Sequence, residues 1–142
     1  MILFDTGPIV AAAFTTEHHH RACSDLFAGL RLARRRLILP ATVAAEAGYL
    51  LDQLGGPQHE SWFLAGVAEG GFELVDLTYS DYARMGELVE QYADMHLGTT
   101  DASVIALAER LNITEIATLD RRHFTAVRPS HTAAFSLLPE QL

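Results

Sequence analysis

The chain has 142 residues, one cysteine and a net charge of −8, and 49% of its residues are hydrophobic. That length gives one domain, spanning 1–142, with enough apolar content for a real core. No apolar run approaches the ~20 residues of a membrane span, no basic segment precedes the first apolar run as in a signal peptide, and the lone Cys23 excludes an internal disulfide and fits a reducing cytoplasm.

The acidic balance argues against nucleic-acid binding driven by net charge. All ten basic residues, however, are arginines, which favour bidentate contact with phosphate. They gather at Arg31, Arg34, Arg35 and Arg36, and again at Arg121, Arg122 and Arg128.

In chain order, Met1 to Phe4 is a short apolar run that ends in Asp5. Such a run predicts a strand buried on both faces, closed by Gly7 and Pro8, with Pro8 suited to a first helical turn. Gly7 to Phe14 reads as a helix of small residues. Thr15-Thr16 is expected to cap a second helix, His18 to Arg35, with Cys23, Leu26, Phe27, Leu30 and Ala33 inward. Leu37 to Leu39 is a second buried strand ending at Pro40. A helix from Thr42 carries Val43, Ala47, Leu50, Leu51 and Leu54 on one side and breaks at Gly55-Gly56-Pro57. Another helix spans Gln58 to Glu69, followed by a strand from Phe72 to Leu77.

Ser80 is expected to cap a helix to Tyr92, with Tyr82, Met85, Leu88 and Val89 inward. The helix from Asp101 to Leu111 is strongly patterned through Val104, Ile105 and Ala108. Thr114 to Leu119 predicts a fourth strand ending at Asp120, then a loop broken by Pro129, then a short edge strand within Ala133 to Leu138. Strands alternating with helices define an α/β fold with a mainly parallel sheet of four to five strands.

Four acids fall at unusual places in this pattern. Asp5 and Asp120 end predicted buried strands. Glu46, three residues after Val43 and four before Leu50, lies on the apolar stripe of its helix. Asp101 heads an inward helix face, although it also suits an ordinary helix cap. Glu69, Glu87 and Glu109 fall on predicted solvent faces. Clustered carboxylates raise one another's pKa unless a cation joins them. An all-oxygen donor set selects Mg²⁺, with Mn²⁺ also admitted, over Zn²⁺. Carboxylate-held Mg²⁺ performs phosphoryl chemistry.

These residues resemble a known family, the PIN-domain ribonucleases, and within it the VapC toxins of bacterial toxin–antitoxin systems. The resemblance lies in Ile2-Leu3-Phe4-Asp5-Thr6-Gly7, Val43-Ala44-Ala45-Glu46, Gly98-Thr99-Thr100-Asp101-Ala102-Ser103 and Ile116-Ala117-Thr118-Leu119-Asp120. Each motif is short, but their order and spacing cover essentially the whole chain. The resemblance implies a PIN-like three-layer fold and a metal-dependent endoribonuclease. Asp5, Glu46, Asp101 and Asp120 would then be catalytic and hold the Mg²⁺, with Asp5 and Asp101 the principal ligands. Thr6 and Thr118 would orient those carboxylates.

The segment Leu119-Asp120-Arg121-Arg122-His123-Phe124 resembles toxins that cut ribosomal RNA at the sarcin–ricin loop; other relatives cut transfer RNA. Arg121 and Arg122 would bind substrate phosphate, or simply face solvent in a turn. His123 is a weaker candidate, as a general acid. The resemblance further implies a cognate VapB-type antitoxin whose basic tail would suit an acidic groove, and a homodimer or toxin–antitoxin hetero-oligomer. Trp62 and Phe63 would line that groove or the dimer face, or belong to the core.

Two alternatives stand beside this reading. A haloacid-dehalogenase-like phosphatase also opens with a strand and an Asp, but wants a second Asp where Gly7 stands. A PIN fold kept only as a binding module would not need the intact acid set. His18-His19-His20 reads as a solvated helix start, and Cys23 as a small buried hydrophobe.

Overall fold

The computed structural model describes all residues, Met1–Leu142. Five strands, β1 (Ile2–Phe4), β2 (Leu37–Pro40), β3 (Glu73–Val75), β4 (Glu115–Ala117) and β5 (Ser136–Leu138), alternate with seven helices. The helices are α1 (Thr6–Ala13), α2 (His20–Leu32), α3 (Ala41–Gly55), α4 (Pro57–Ala68), α5 (Tyr79–Gln91), α6 (Thr99–Leu111) and α7 (Arg121–Ala126). A 3₁₀ turn, Ala93–Met95, joins α5 to α6.

The strands form one sheet in the order β3-β2-β1-β4-β5, and every pair in it is parallel. The chain walks outward from β1 to β3, then returns to lay β4 against the other side of β1. That reversal makes a switch point between β1 and β4, where a crevice opens beyond the carboxyl ends of the strands.

The apolar run at the N-terminus explains β1: Ile2, Leu3 and Phe4 are fully buried, as a central strand covered on both faces requires. Leu3 pairs with Ile38 on one side and Ile116 on the other. Phe4 stacks on Phe27 of α2 at 4.9 Å and meets Phe72 edge-on at 5.5 Å. α6 is the most deeply buried helix: every residue from Ala102 to Ala108 is in the core. Its small residues at 102, 106 and 108 admit close approach by the surrounding elements, and its first turn is thereby fixed relative to the sheet.

Several local expectations are corrected. α5 is capped by Thr78, not Ser80; its hydroxyl accepts from the Asp81 N–H while Asp81 accepts from the Thr78 N–H, a reciprocal capping box. α2 begins at His20, and Thr15-Thr16 do not cap it. Tyr82, Val89 and Leu54 face solvent rather than the core, because the inward stripes they extend are narrower than their apolar runs. Phe63 is core, whereas Trp62 is exposed. Glu109 is not a solvent-face residue: its side chain is 9% exposed and bonds Arg84. The stretch after Asp120 is a helix rather than a loop.

Candidate active site and metal centre

Each of the four acids is delivered by the start of a different helix at the carboxyl edge of the sheet. Asp5 follows β1 at the N-cap of α1, and its backbone N–H still bonds Ala117 of β4. Glu46 lies in the second turn of α3, Asp101 in the first turn of α6, and Asp120 at the N-cap of α7. Helix N-termini stabilise negative charge within their first turn, which favours Asp5, Asp101 and Asp120 at these positions.

The acids act on one another. Asp5 is 7% exposed, and its pKa is raised from 3.8 to about 6, first by burial, with the charges of Asp101 and Glu46 adding to it. Asp101 is raised as well, again first by burial, with Asp120 and Glu46 contributing. No arginine pairs with Asp5, Glu46, Asp101 or Asp120. The site is therefore short of positive charge.

Two threonines donate to the acids. Thr118, fully buried at the end of β4, donates to Asp5 Oδ2 at 2.7 Å and accepts the Asp120 N–H at 3.0 Å. Thr6 donates to Glu46 Oε2 at 3.1 Å. Asp101 Oδ2 accepts the Gly98 N–H at 3.3 Å. Below the acids, Thr42 of α3 and Ser103 of α6 share a 2.6 Å hydrogen bond, and Ser103 also bonds the Thr100 carbonyl. The sequence reading passed over this tie; its trace is a hydroxyl on the otherwise apolar face of α6. Gly7 keeps the site compact, because a Cβ there would meet Leu119 at 3.2 Å.

Asp120 is held differently from the other three. Its two oxygens accept from His123, Oδ1 from the backbone N–H at 2.9 Å and Oδ2 from Nδ1 at 2.6 Å. The hydrogen bond to Asp120 is the main reason the His123 pKa is raised above its usual value. Carboxylate oxygens of Asp101 and Asp120 and a ring nitrogen of His123 all lie within 4.8 Å of one another.

The arginines divide. Arg122 is exposed in the first turn of α7, the helix that Asp120 caps, while Arg121 donates to the Pro139 carbonyl and so anchors the C-terminal segment. The first arginine group is remote from the acids. Arg31, Arg34, Arg35 and Arg36 line a cleft of about 360 Å³ at the amino edge, where Arg35 pairs with Glu115 and Arg36 with Glu73. His20 bonds the Ala11 carbonyl. Cys23 is buried in apolar surroundings that push its thiol up to about 11.

A parallel sheet whose carboxyl edge gathers four acids without an arginine partner has the layout of a site for a hard divalent cation. The chain belongs to the PIN domain family, whose model matches residues 2–128. It is 31% identical over 138 residues to Ribonuclease VapC26 of Mycobacterium tuberculosis, covering 97% of this chain and all of that one. Two solved structures share its fold. The M. tuberculosis VapC20, described as a sarcin–ricin loop cleaving toxin, superposes with a TM-score of 0.79 at 16% identity, covering 94% of this chain and 99% of that one. VapBC2 of Rickettsia felis, bound to a DNA fragment from its promoter, gives 0.68 at 16% identity, covering 96% and 98%.

Proposed function

We propose that this chain is a metal-dependent endoribonuclease toxin, neutralised by a cognate VapB-type antitoxin. The observation that carries the reading is the set of four carboxylates at the switch point with no arginine on any of them. The near-full-length likeness to a VapC ribonuclease supports it. The donor set of Asp5, Glu46, Asp101 and Asp120 is all oxygen, which fits Mg²⁺ or Mn²⁺.

Asp5 and Asp101 are the principal ligands in this reading. Glu46, held by Thr6, orients the attacking water or completes the ligand set, and Asp120 extends the negative field. A divalent cation at such a site lowers the pKa of water and offsets charge on phosphate oxygens. The protein's own part is to fix the carboxylates through Thr6 and Thr118, and to meet the RNA backbone with Arg122. Arg121 serves the C-terminal segment instead.

The substrate is RNA, with the sarcin–ricin loop of large ribosomal RNA and transfer RNA the two to compare. The former is favoured by the Leu119–Phe124 motif. A basic antitoxin tail suits the acid-lined edge, and the exposed Trp62 and Tyr49 on the paired helices α3 and α4 offer apolar contact to such a partner. A dehalogenase-like phosphatase is disfavoured, since position 7 packs against Leu119 and carries no carboxylate.

The test is cleavage of both RNAs by purified protein in Mg²⁺, in EDTA, and with Asp5→Asn and Asp101→Asn. Loss of cleavage in EDTA and in both variants is expected. Full-rate cleavage by either variant would overturn the site.

A further inference from the structure

We propose that His123 is a positioning residue of the site, setting the placement of Asp120 and Asp101 together; this rests on the metal-site reading above. Both of its ring nitrogens are engaged. Nδ1 donates to Asp120 Oδ2 at 2.6 Å, and Nε2 donates to the Met95 carbonyl at 2.7 Å. A carbonyl can only accept, so the Met95 bond fixes the ring's orientation. The side chain is 16% exposed, which confines it further. One rigid ring thus spans from the α7 N-cap to the turn that precedes α6.

That turn leads directly to Asp101. Met95 is followed by His96 in the left-handed conformation (φ 54°), then by Leu97, 3% exposed and anchored in the core, then by Gly98, whose N–H holds Asp101 Oδ2. Three residues with these restraints leave little slack, so a fixed Met95 carbonyl fixes the Gly98 N–H. On the other side, Asp120 is tied through its own N–H to Thr118, and Thr118 donates to Asp5. The imidazole therefore closes a continuous chain of contacts linking Asp5, Thr118, Asp120, His123, the 93–98 turn and Asp101. Its removal would free Asp120 Oδ2, leaving Oδ1 on the His123 backbone N–H, and would loosen the donor that aims Asp101 itself.

Simple docking of α7 does not require this geometry. The same two segments are already joined by the Arg128 N–H donating to the Tyr92 hydroxyl at 2.9 Å. Tyr92→Phe removes that tie without touching a carboxylate, and serves as the structural control.

The experiment measures Mn²⁺ binding to the metal-stripped full chain by electron paramagnetic resonance, with thermal melting and circular dichroism as fold checks. His123→Asn places an amide near Nδ1 and keeps the Asp120 contact alone; His123→Gln reaches toward Met95 and gives up Asp120. Each is expected to weaken Mn²⁺ binding by about 10-fold, and His123→Ala by up to about 100-fold, the usual range for partners of metal ligands. Tyr92→Phe is expected to lower the melting temperature with Mn²⁺ affinity unchanged. Asp120→Asn added to His123→Ala should cost little more, because the two act as a unit. Mn²⁺ binding that is lost in Asp101→Asn but stays within twofold of wild type in the folded His123 variants would overturn this inference alone. Absence of Mn²⁺ binding by the wild-type chain would overturn the metal-site reading and this inference with it.

Discussion

Asp5→Asn should stabilise the metal-free protein, by an amount that grows with pH. Asp5 has a folded-state pKa of about 6 against an ordinary 3.8. The folded state therefore holds a proton through a pH window in which the unfolded chain has already released it. Below 3.8 both states are protonated and Asp5 costs nothing. As pH rises through that window the cost of a buried, unpaired carboxylate appears, and above about 6 it is complete. The gap corresponds to about 3 kcal/mol at neutral pH.

Asparagine is neutral throughout and keeps an oxygen for the Thr118 hydroxyl. In EDTA, the variant's advantage over wild type should be near zero at pH 4 and reach about 3 kcal/mol by pH 7.5, or a melting temperature about 6–12 °C higher for a domain of this size. The comparison of two chains at each pH cancels the titration of the other acids to first order. Circular dichroism is the suitable readout, because the single tryptophan, Trp62, is exposed at 69% and reports poorly on the core. Millimolar Mg²⁺ should shrink the advantage by stabilising wild type alone. A difference that stays flat from pH 4 to 8, or a wild type more stable than the variant in EDTA at pH 8, would refute the account of Asp5 as an uncompensated charge.

Thr118→Val removes one donor to Asp5 and one acceptor from Asp120, and should weaken Mn²⁺ binding about 10- to 100-fold in a direct titration; unchanged affinity would show that Thr118 only caps a strand. Arg122→Ala should raise KM for RNA with kcat preserved and lower the salt slope of binding by about one. Arg121→Ala should leave KM alone and lower the melting temperature, since its guanidinium holds the Pro139 carbonyl; the reverse result would interchange their roles. Arg84→Ala leaves the Glu109 carboxylate, 9% exposed, with the Ser130 N–H as its remaining partner, and should cost about 2 kcal/mol in urea unfolding, much of which Glu109→Gln in the same chain should restore.

The fold was legible where the pattern was long or strict. β1, β2 and α6 are set by apolar runs and helical spacing that tertiary contacts reinforce, and the candidate acids stand out against that pattern: Asp5 at the end of a buried strand, Glu46 and Asp101 on inward helix faces. Failures fell where local signals compete. Thr78 and Ser80 both offer a hydroxyl near the start of α5, and only the reciprocal bond with Asp81 decides between them. α7 has six residues, too few for a periodicity to register, and its initiation depends on Asp120 accepting from the His123 N–H, a capping role hidden behind the residue's catalytic reading. The bridge from His123 to Met95 joins residues 28 apart, and no pattern in the chain announces it. The two arginine groups were indistinguishable by composition; only the fold puts Arg122 on the helix that Asp120 caps, Arg121 on the C-terminal segment, and the other group at the opposite edge.

The direction of the sheet also explains why an acidic protein can leave these four acids without an arginine. Asp81 is at least as buried as Asp5, at 3% against 7% exposed. Burial would raise its pKa, yet it is held below the ordinary value by the Thr78 N–H and Arg110. Glu109 opposes burial in the same way, through Arg84 and Ser130. At the amino edge, Arg36 beside Glu73 lowers that carboxyl too. At Asp81, Glu109 and Glu73, away from the carboxyl edge, the fold supplies an arginine. At the carboxyl edge it supplies hydroxyls, backbone N–H groups and one histidine, and that histidine is taken up by Asp120 and the Met95 carbonyl, so Asp5, Glu46 and Asp101 are left without a cationic partner. Asp5 and Asp101 consequently shift upward while the paired acids shift downward. A charge deficit confined to the switch point is what a site built to receive a cation requires, and the rest of the chain shows that arginine was available to fill it.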